Sequence, residues 1–252
     1  MATTSLAIGI DIGGTGIKGA LVDVTTGELV SERIKVATPA GGEPADIVAE
    51  VAAIVEQLGD STGKVPVGVC FPAVVIGGRT MSAANVSKRW IGLPAEALFE
   101  QTLGRDIVFV NDADAAGVAE LHFGAARGIR GLVIMTTLGT GIGSALLFDG
   151  VLIPNTELGH LEIDGRDAER RASFAAKERG RLSWTRWAKH LQRYYETLEM
   201  LFSPTLFVVG GGVSKESDQF LPLLKLHTPI VPAELRNNAG ILGAAWLAAR
   251  LL

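Results

Sequence analysis

The sequence predicts an α/β fold made of two related halves that face each other across a cleft. Two observations carry this expectation. A strand, a Gly/Thr-rich loop and a return strand occur at residues 6–23 and again at residues 131–148. Around these hairpins, short apolar runs alternate with stretches of helical spacing, which is the pattern of layered α/β structure.

The elements follow in order. Residues 6–11 are an apolar run ending in Gly13-Gly14-Thr15-Gly16, and residues 18–23 form the return strand. Residues 28–36 alternate after the Thr25-Thr26-Gly27 turn, so a third strand and an antiparallel meander are expected. Helical spacing covers 44–58, with Ile47, Val48, Val51, Ile54, Val55 and Leu58 on one side. A strand at 65–71 closed by Pro72, a short helix at 93–103 and a strand at 106–112 come next. That strand ends on Asn111-Asp112 and hands over to a helix at 113–123. The pattern then restarts with a strand at 131–138, a Gly-rich turn at 139–143, a return strand at 144–148 and a hairpin signal at Asp149-Gly150. A long helix is expected at 183–202, where Trp187, Leu191, Tyr194, Leu198 and Leu201 recur at spacings of three and four as a core stripe. A strand at 206–209 runs into Gly210-Gly211-Gly212 and a helix from near Ser214, and an Ala/Leu-rich helix at 239–252 ends the sequence. The expected division is an N-terminal α/β lobe at 1–112, joined by the helix at 239–252, and a C-terminal α/β lobe at 113–238.

Composition narrows the function classes. Of 252 residues, 48% are apolar and 20% charged, a globular balance. The net charge of -4 argues against a general nucleic-acid or membrane-surface binder, while leaving room for a local basic groove. Cys70 is the single cysteine, so an intrachain disulfide and a Cys-rich zinc site are excluded. Its apolar neighbours mark it as a small buried hydrophobe. The first residues lack the basic and apolar regions of a signal peptide, and no uninterrupted apolar run reaches roughly 18–20 residues. A cytoplasmic protein without nucleic-acid or membrane partners is expected.

The first hairpin carries chemistry. A turn of Gly13 and Gly14 lets backbone N–H groups approach phosphate oxygens; Thr15 adds a hydroxyl and Lys18 a positive charge. Asp11, at the strand end, can hold Mg²⁺ directly or through water. The second loop, with Gly139, Thr140, Gly141 and Gly143, gains its weight as the counterpart of the first: two such loops can clamp one phosphoryl donor. A P-loop, a dinucleotide fingerprint after the first strand and the protein-kinase motif set are all missing.

Residues 11–18, Asn111-Asp112, residues 138–143, Glu157-Leu158-Gly159-His160 and Gly210-Gly211-Gly212 resemble, in order, the motifs of the ROK family of sugar kinases. The likeness runs over nearly the whole sequence. Within that family it is most similar to the polyphosphate-using glucokinases, through residues 82–86, 111–117, 157–165 and 228–232. The resemblance implies an actin-like ATPase, ribonuclease H-like duplicated fold. It implies transfer of a phosphoryl group from inorganic polyphosphate, and from ATP, to the 6-hydroxyl of glucose, with mannose as a further acceptor. It also implies Mg²⁺ as cofactor and a homodimer.

The same resemblance assigns roles. Asp112 matches the catalytic base, which orients the attacking hydroxyl; an Asp that N-caps the following helix is the plainer alternative, and both roles can coexist. Sugar contacts are expected from Asn85, Asn111, Asp112, Glu157, His160 and Glu169, since amides and carboxylates pair with vicinal hydroxyls. Glu169 precedes Ser173 by four residues, as in the family, although the family's cysteine cluster is missing here. Without those cysteines no zinc is expected, and His160 is assigned to a sugar hydroxyl, with a structural histidine as the alternative. Gly210, Gly211 and Gly212 match a nucleotide-side motif, or form a tight strand-to-helix turn. Lys18, Lys88, Arg89, Arg166, Arg170 and Arg171 are candidates for a polyphosphate track, against a solvated helix face. The chief alternative activity is a strictly ATP-dependent hexokinase for glucose, mannose or an amino sugar. A sugar-responsive repressor of the family needs a DNA-binding region ahead of the first strand, and a filament protein would not need the polar set around Glu157.

Overall fold

Strand β1 (Leu6–Ile12) is almost wholly buried and organises the first sheet of the computed structural model, which describes residues 5–59, 64–83 and 85–251. β1 turns through residues 13–15 into β2 (Gly16–Asp23), its antiparallel partner, with Asp11 opposite Lys18. Two short strands, β3 (Glu28–Leu29) and β4 (Ile34–Ala37), both pair with β2. The single strand expected at 28–36 is therefore split. The Ser31 hydroxyl accepts the Leu21 N–H at 3.0 Å, taking a donor that a continuous ladder would use. Helix α1 (Pro44–Gln57) starts on a proline and buries Ile47, Val48, Val51, Ile54 and Val55. β5 (Val67–Phe71) runs parallel to β1, followed by a small hairpin of β6 (Val75–Ile76) and β7 (Arg79–Thr80). Helix α2 (Ala95–Leu103) is followed by β8 (Val108–Asn111), parallel to β5. Helix α3 (Asp112–Phe123) begins directly on Asp112.

The second sheet repeats this order. β9 (Leu132–Leu138) and β10 (Ile142–Phe148) form an antiparallel hairpin, and β11 (Val151–Ile153) pairs outside it. A minor hairpin of β12 (Glu162–Ile163) and β13 (Arg166–Asp167) leads into short helices α4 (Glu169–Ala172) and α5 (Phe174–Arg179). Helix α6 (Trp184–Phe202) is capped by Ser183, whose hydroxyl accepts the Arg186 N–H at 3.3 Å. Its stripe of Trp187, Leu191, Tyr194 and Leu198 is buried as expected, but Leu201 is exposed. The stripe continues through Phe202 instead, one full turn after Leu198. β14 (Leu206–Gly210) pairs parallel with β9, and β15 (Ile230–Pro232) with β14. After Gly211 the chain forms a 3-10 segment with a kink at Glu216, where an ordinary helix was expected. Helix α7 (Ala239–Leu251) ends the described chain.

The chain forms two compact units: residues up to Ala119 together with those from Asn238 onward, and Glu120–Asn237. The sheet orders are β3-β2-β1-β5-β8 in the first and β11-β10-β9-β14-β15 in the second. In each, an antiparallel Gly-loop hairpin is extended by two parallel strands. This is the duplicated α/β architecture of the actin-like ATPase fold. One core gathers β1, β5 and α1 around Trp90, Phe71 and Phe99; the other gathers β9, β14 and α6 around Trp187, Tyr195 and Phe220.

Helix α7 returns to the first unit and packs backbone to backbone. A Cβ at Gly9 would lie 1.9 Å from the Ile241 carbonyl oxygen, and one at Gly68 2.0 Å from that of Ala244. On its other side, a Cβ at Gly243 would lie 1.7 Å from the Ala115 carbonyl oxygen of α3. Glycine is required at these three positions by close approach. Among the described residues no helix is long and apolar enough to cross a membrane.

Candidate active site

In the first unit the hairpin turn is closed by Gly13 N–H to the Gly16 carbonyl at 3.0 Å and buttressed by Thr38, whose hydroxyl donates to the Gly13 carbonyl at 2.5 Å. The Thr15 side chain is exposed beside this closed turn. Lys18 Nζ donates to Asp11 Oδ2 at 2.8 Å, an ion pair that follows from their opposite positions in the β1–β2 ladder. Asp11 also meets the start of α7: a Cβ at Gly240 would lie 2.9 Å from its Cγ. The first turn of a helix favours an adjacent carboxylate. Cys70 is fully buried, its Sγ 3.8 Å from Asp11 Oδ1. Burial first, then the Asp11 and Asp112 charges, push its thiol well above the usual range, so it is an unreactive packing group.

Asn85 sits at φ 61° against this hairpin, where a Cβ on Gly14 would come within 2.7 Å of the Asn85 Cβ. Asn111 and Asp112 divide the work at the start of α3. Asn111 is buried; its Oδ1 accepts the N–H groups of Ala113 at 2.8 Å and Asp114 at 3.1 Å, and its Nδ2 donates to the Ala73 carbonyl at 2.9 Å. The helix cap therefore rests chiefly on Asn111. Asp112 Oδ1 accepts the adjacent Ala113 N–H at 2.8 Å, and the residue is half-buried.

In the second unit the other hairpin turn is closed by Gly139 N–H to the Gly141 carbonyl at 3.0 Å. Thr140 is exposed at its tip. Glu169, at the start of α4, accepts the Ile142 N–H at 3.1 Å, and a Cβ on Gly141 would lie 2.4 Å from the same carboxylate oxygen. Ala175 of α5 donates to the Gly139 carbonyl at 3.0 Å, so α4 and α5 together brace the loop. Gly211, at φ 83°, packs on the Leu138 backbone, with a would-be Cβ 2.4 Å from its carbonyl oxygen. The Gly210–Gly212 turn thereby adjoins the Gly139–Gly143 loop.

Glu157 caps, and His160 ends, a single 3-10 turn (Leu158–His160) pinned to β10. The Ser144 hydroxyl donates to the Thr156 carbonyl at 2.6 Å and accepts the Leu158 N–H at 3.0 Å; Thr156 returns a bond to the Ser144 carbonyl at 3.1 Å. Gly159 lies flat on β10, where a side chain would strike the Ile142 carbonyl. His160 is exposed, with Nε2 4.0 Å from Glu157 and Nδ1 3.5 Å from Asp167. Burial raises the Glu157 pKa, with His160 opposing and Glu169 adding to the shift.

The structure thus gathers Asp11, Gly13, Gly14, Thr15, Lys18, Asn85, Asn111 and Asp112 within the first unit. Within the second it gathers Gly139, Thr140, Gly141, Gly143, Glu157, His160, Glu169 and Gly210–Gly212. Sequence reasoning missed the supports Thr38, Ser144, Thr156 and Gly240. None stands in a motif, and their partners are distant in sequence. Of the basic residues, Lys18 is paired with Asp11 and Arg89 lies 3.5 Å from Glu43, while Lys88, Arg166 and Arg170 are exposed.

A family profile described as ROK family matches residues 7–176. A polyphosphate glucokinase of Mycobacterium tuberculosis is 46% identical over 238 residues, covering 94% of this chain and 89% of that protein. The crystal structure of an inorganic polyphosphate/ATP-glucomannokinase from an Arthrobacter species is 52% identical, with a TM-score of 0.94 over 99% of this chain and 100% of that one. A ROK family glucokinase from Streptomyces griseus, solved with glucose and AMPPNP, is 28% identical, with a TM-score of 0.83 over 97% of this chain and 99% of that one.

Proposed function

This chain belongs to the ROK family, and from that premise we propose that it phosphorylates the 6-hydroxyl of glucose with inorganic polyphosphate, and also with ATP, giving glucose 6-phosphate. The observation that carries this is the near full-length match to two polyphosphate-using sugar kinases at 46% and 52% identity. The site geometry supports it.

Each glycine hairpin is closed by its first glycine N–H and carries an exposed threonine, whose hydroxyl is a donor suited to phosphate oxygens. Asn111 carries the α3 cap, and Asp112, at the start of the same helix, is the carboxylate that orients the sugar hydroxyl and takes its proton as the bond to phosphorus forms. Glu157, His160 and Asn85 supply acceptors and donors for the remaining hydroxyls. Glu169 has one carboxylate oxygen on the second hairpin and a second one available to the sugar.

Asp11 fits a magnesium ion as a single hard carboxylate. Among the described residues no group of three or more His, Cys, Asp or Glu side chains forms a cage, and magnesium needs none, since it keeps its waters and binds one or two carboxylates with donor phosphates. Bound there, the ion neutralises charge on the donor phosphates. Lys18, 2.8 Å from Asp11, holds that carboxylate and adds a positive charge beside the donor.

In this proposal the enzyme is a cytoplasmic homodimer that also accepts mannose. Purified protein offered glucose or mannose with polyphosphate or ATP, with the hexose 6-phosphate measured, tests it. Product with polyphosphate is expected. Product with ATP alone selects the ATP-dependent hexokinase, and no product with either donor refutes the proposal.

A further inference from the structure

The second unit holds a cavity of about 140 Å³ walled by the β12–β13 hairpin, α4 and α6. That is roughly ten times the space one water needs. Of the residues assigned above to hexose or donor, Arg171, a candidate for the polyphosphate track, is the one that lines it. Its polar wall consists of Asp164, Arg171, His190, Arg193 and Tyr194.

Two of these groups lack a partner. Tyr194 is 1% exposed, and its hydroxyl makes no hydrogen bond among the described residues. Arg171 is half-buried, and its guanidinium enters no hydrogen bond or ion pair among them. Their neighbours are satisfied. Arg193 is held by Asp164 at 3.1 Å, and the Tyr195 hydroxyl meets Thr136 at 2.6 Å. Buried polar groups are ordinarily paired, so an orphaned phenol beside an unpaired guanidinium in one cavity points to an absent acceptor. Asp164 pairs with Arg193 and also feels the Arg171 charge, so one carboxylate faces two guanidiniums and the wall keeps a net positive charge. Burial and the Arg171 charge hold His190 below the ordinary histidine range, so at neutral pH it faces the cavity uncharged, with one ring N–H to give.

We propose that this cavity binds a phosphate group, held by Arg171, His190, Arg193 and the Tyr194 hydroxyl. A tetrahedral oxyanion presents acceptors in several directions at once, and the planar fork of arginine matches it. The group is either free orthophosphate or one unit of a polyphosphate chain. Helix α4 carries both Arg171 and Glu169, and Glu169 holds the Ile142 N–H, so an occupant is linked to the second glycine loop through one short helix. The proposal does not rest on the hexose assignment, because its readouts are binding, melting and the position of an anion.

The test uses full-length protein without hexose, titrated calorimetrically with orthophosphate and with tripolyphosphate. One binding event should be weakened about ten- to hundredfold in Arg171→Met and severalfold in Tyr194→Phe. Tyr194→Phe should melt, without phosphate, no lower than the parent, since it removes a hydroxyl that has no partner. The electron density of crystals soaked in tungstate should show the anion in the cavity, which decides the matter even if Arg171→Met does not fold. Equal affinity for both probes identifies the free ion as the occupant, and at least tenfold tighter tripolyphosphate identifies the chain. Unchanged binding of both probes by both variants, or tungstate absent from the cavity, overturns the proposal. A Tyr194→Phe protein that melts several degrees lower without phosphate does so too.

Discussion

Gly243→Ala tests whether the C-terminal helix is locked to the first unit by backbone contact. The added Cβ would lie 1.7 Å from the Ala115 carbonyl oxygen and 2.5 Å from its carbon. Reaching ordinary van der Waals distance requires α7 and α3 to separate by roughly 1.5 Å, which a close-packed interior resists. There is no slack on the far side, because α7 already meets Gly9 and Gly68 through the Ile241 and Ala244 carbonyls. Overpacking of this kind costs about 1–3 kcal/mol, occasionally more. Alanine returns at most about 1 kcal/mol of helix propensity. We expect a net loss of about 2 kcal/mol, which for a chain of this size lowers Tm by about 4–8 °C. Urea unfolding should show an earlier midpoint with unchanged slope. Because α7 starts against Asp11 and α3 starts on Asp112, glucose 6-phosphate formation at a fixed temperature well below Tm should also fall. A variant as stable as the parent would refute the contact argument. Lost stability with unchanged turnover would refute its coupling to the site.

Other outcomes follow from the site. Asp112→Asn should fold normally, because Asn111 carries the cap, and should lose about 10²- to 10⁴-fold in kcat; near-parental turnover removes the assigned base. Gly141→Ala should push the Glu169 carboxylate off the Ile142 N–H and lower kcat/KM about ten- to hundredfold, the worth of a charged hydrogen bond. Parental kinetics would show that the loop does not depend on that brace. Glu157 has its pKa raised by burial from 4.5, so its protonated form persists to higher pH than in an ordinary glutamate. As an acceptor of a sugar hydroxyl it works ionised, so KM for glucose should climb as pH falls from neutral toward 4.5, and Glu157→Gln should flatten that climb. The sign for stability is opposite. The fold penalises the ionised form, so Glu157→Gln should gain stability relative to the parent as pH rises above 4.5, measured by urea unfolding across pH.

Local chemistry made the hairpins and most elements legible. Alternation and turn residues place β1 and β2, and a two-strand register puts Asp11 opposite Lys18 without further information. The repeat of strand, glycine loop and strand foretold the duplicated sheets, and the periodicity of α6 foretold most of its buried stripe. Other features were not legible. Residues 28–36 alternate like one strand, yet Ser31 diverts the ladder. The Asn-Asp pair at the start of α3 suits capping at either residue, and only the packed position of Asn111, reaching Ala73, puts the cap chiefly on Asn111. Ser144 and Thr156 look like ordinary strand and loop residues until the Glu157 turn folds onto β10. Glycines 9, 68 and 243 gave no motif at all, because their need for glycine comes from backbones far away in sequence. Turn and strand propensities depend on residues a few positions apart, so one sequence carries them. Close approach, burial and the pairing of a polar group depend on which distant segments share the same space, and that is decided when the whole core packs.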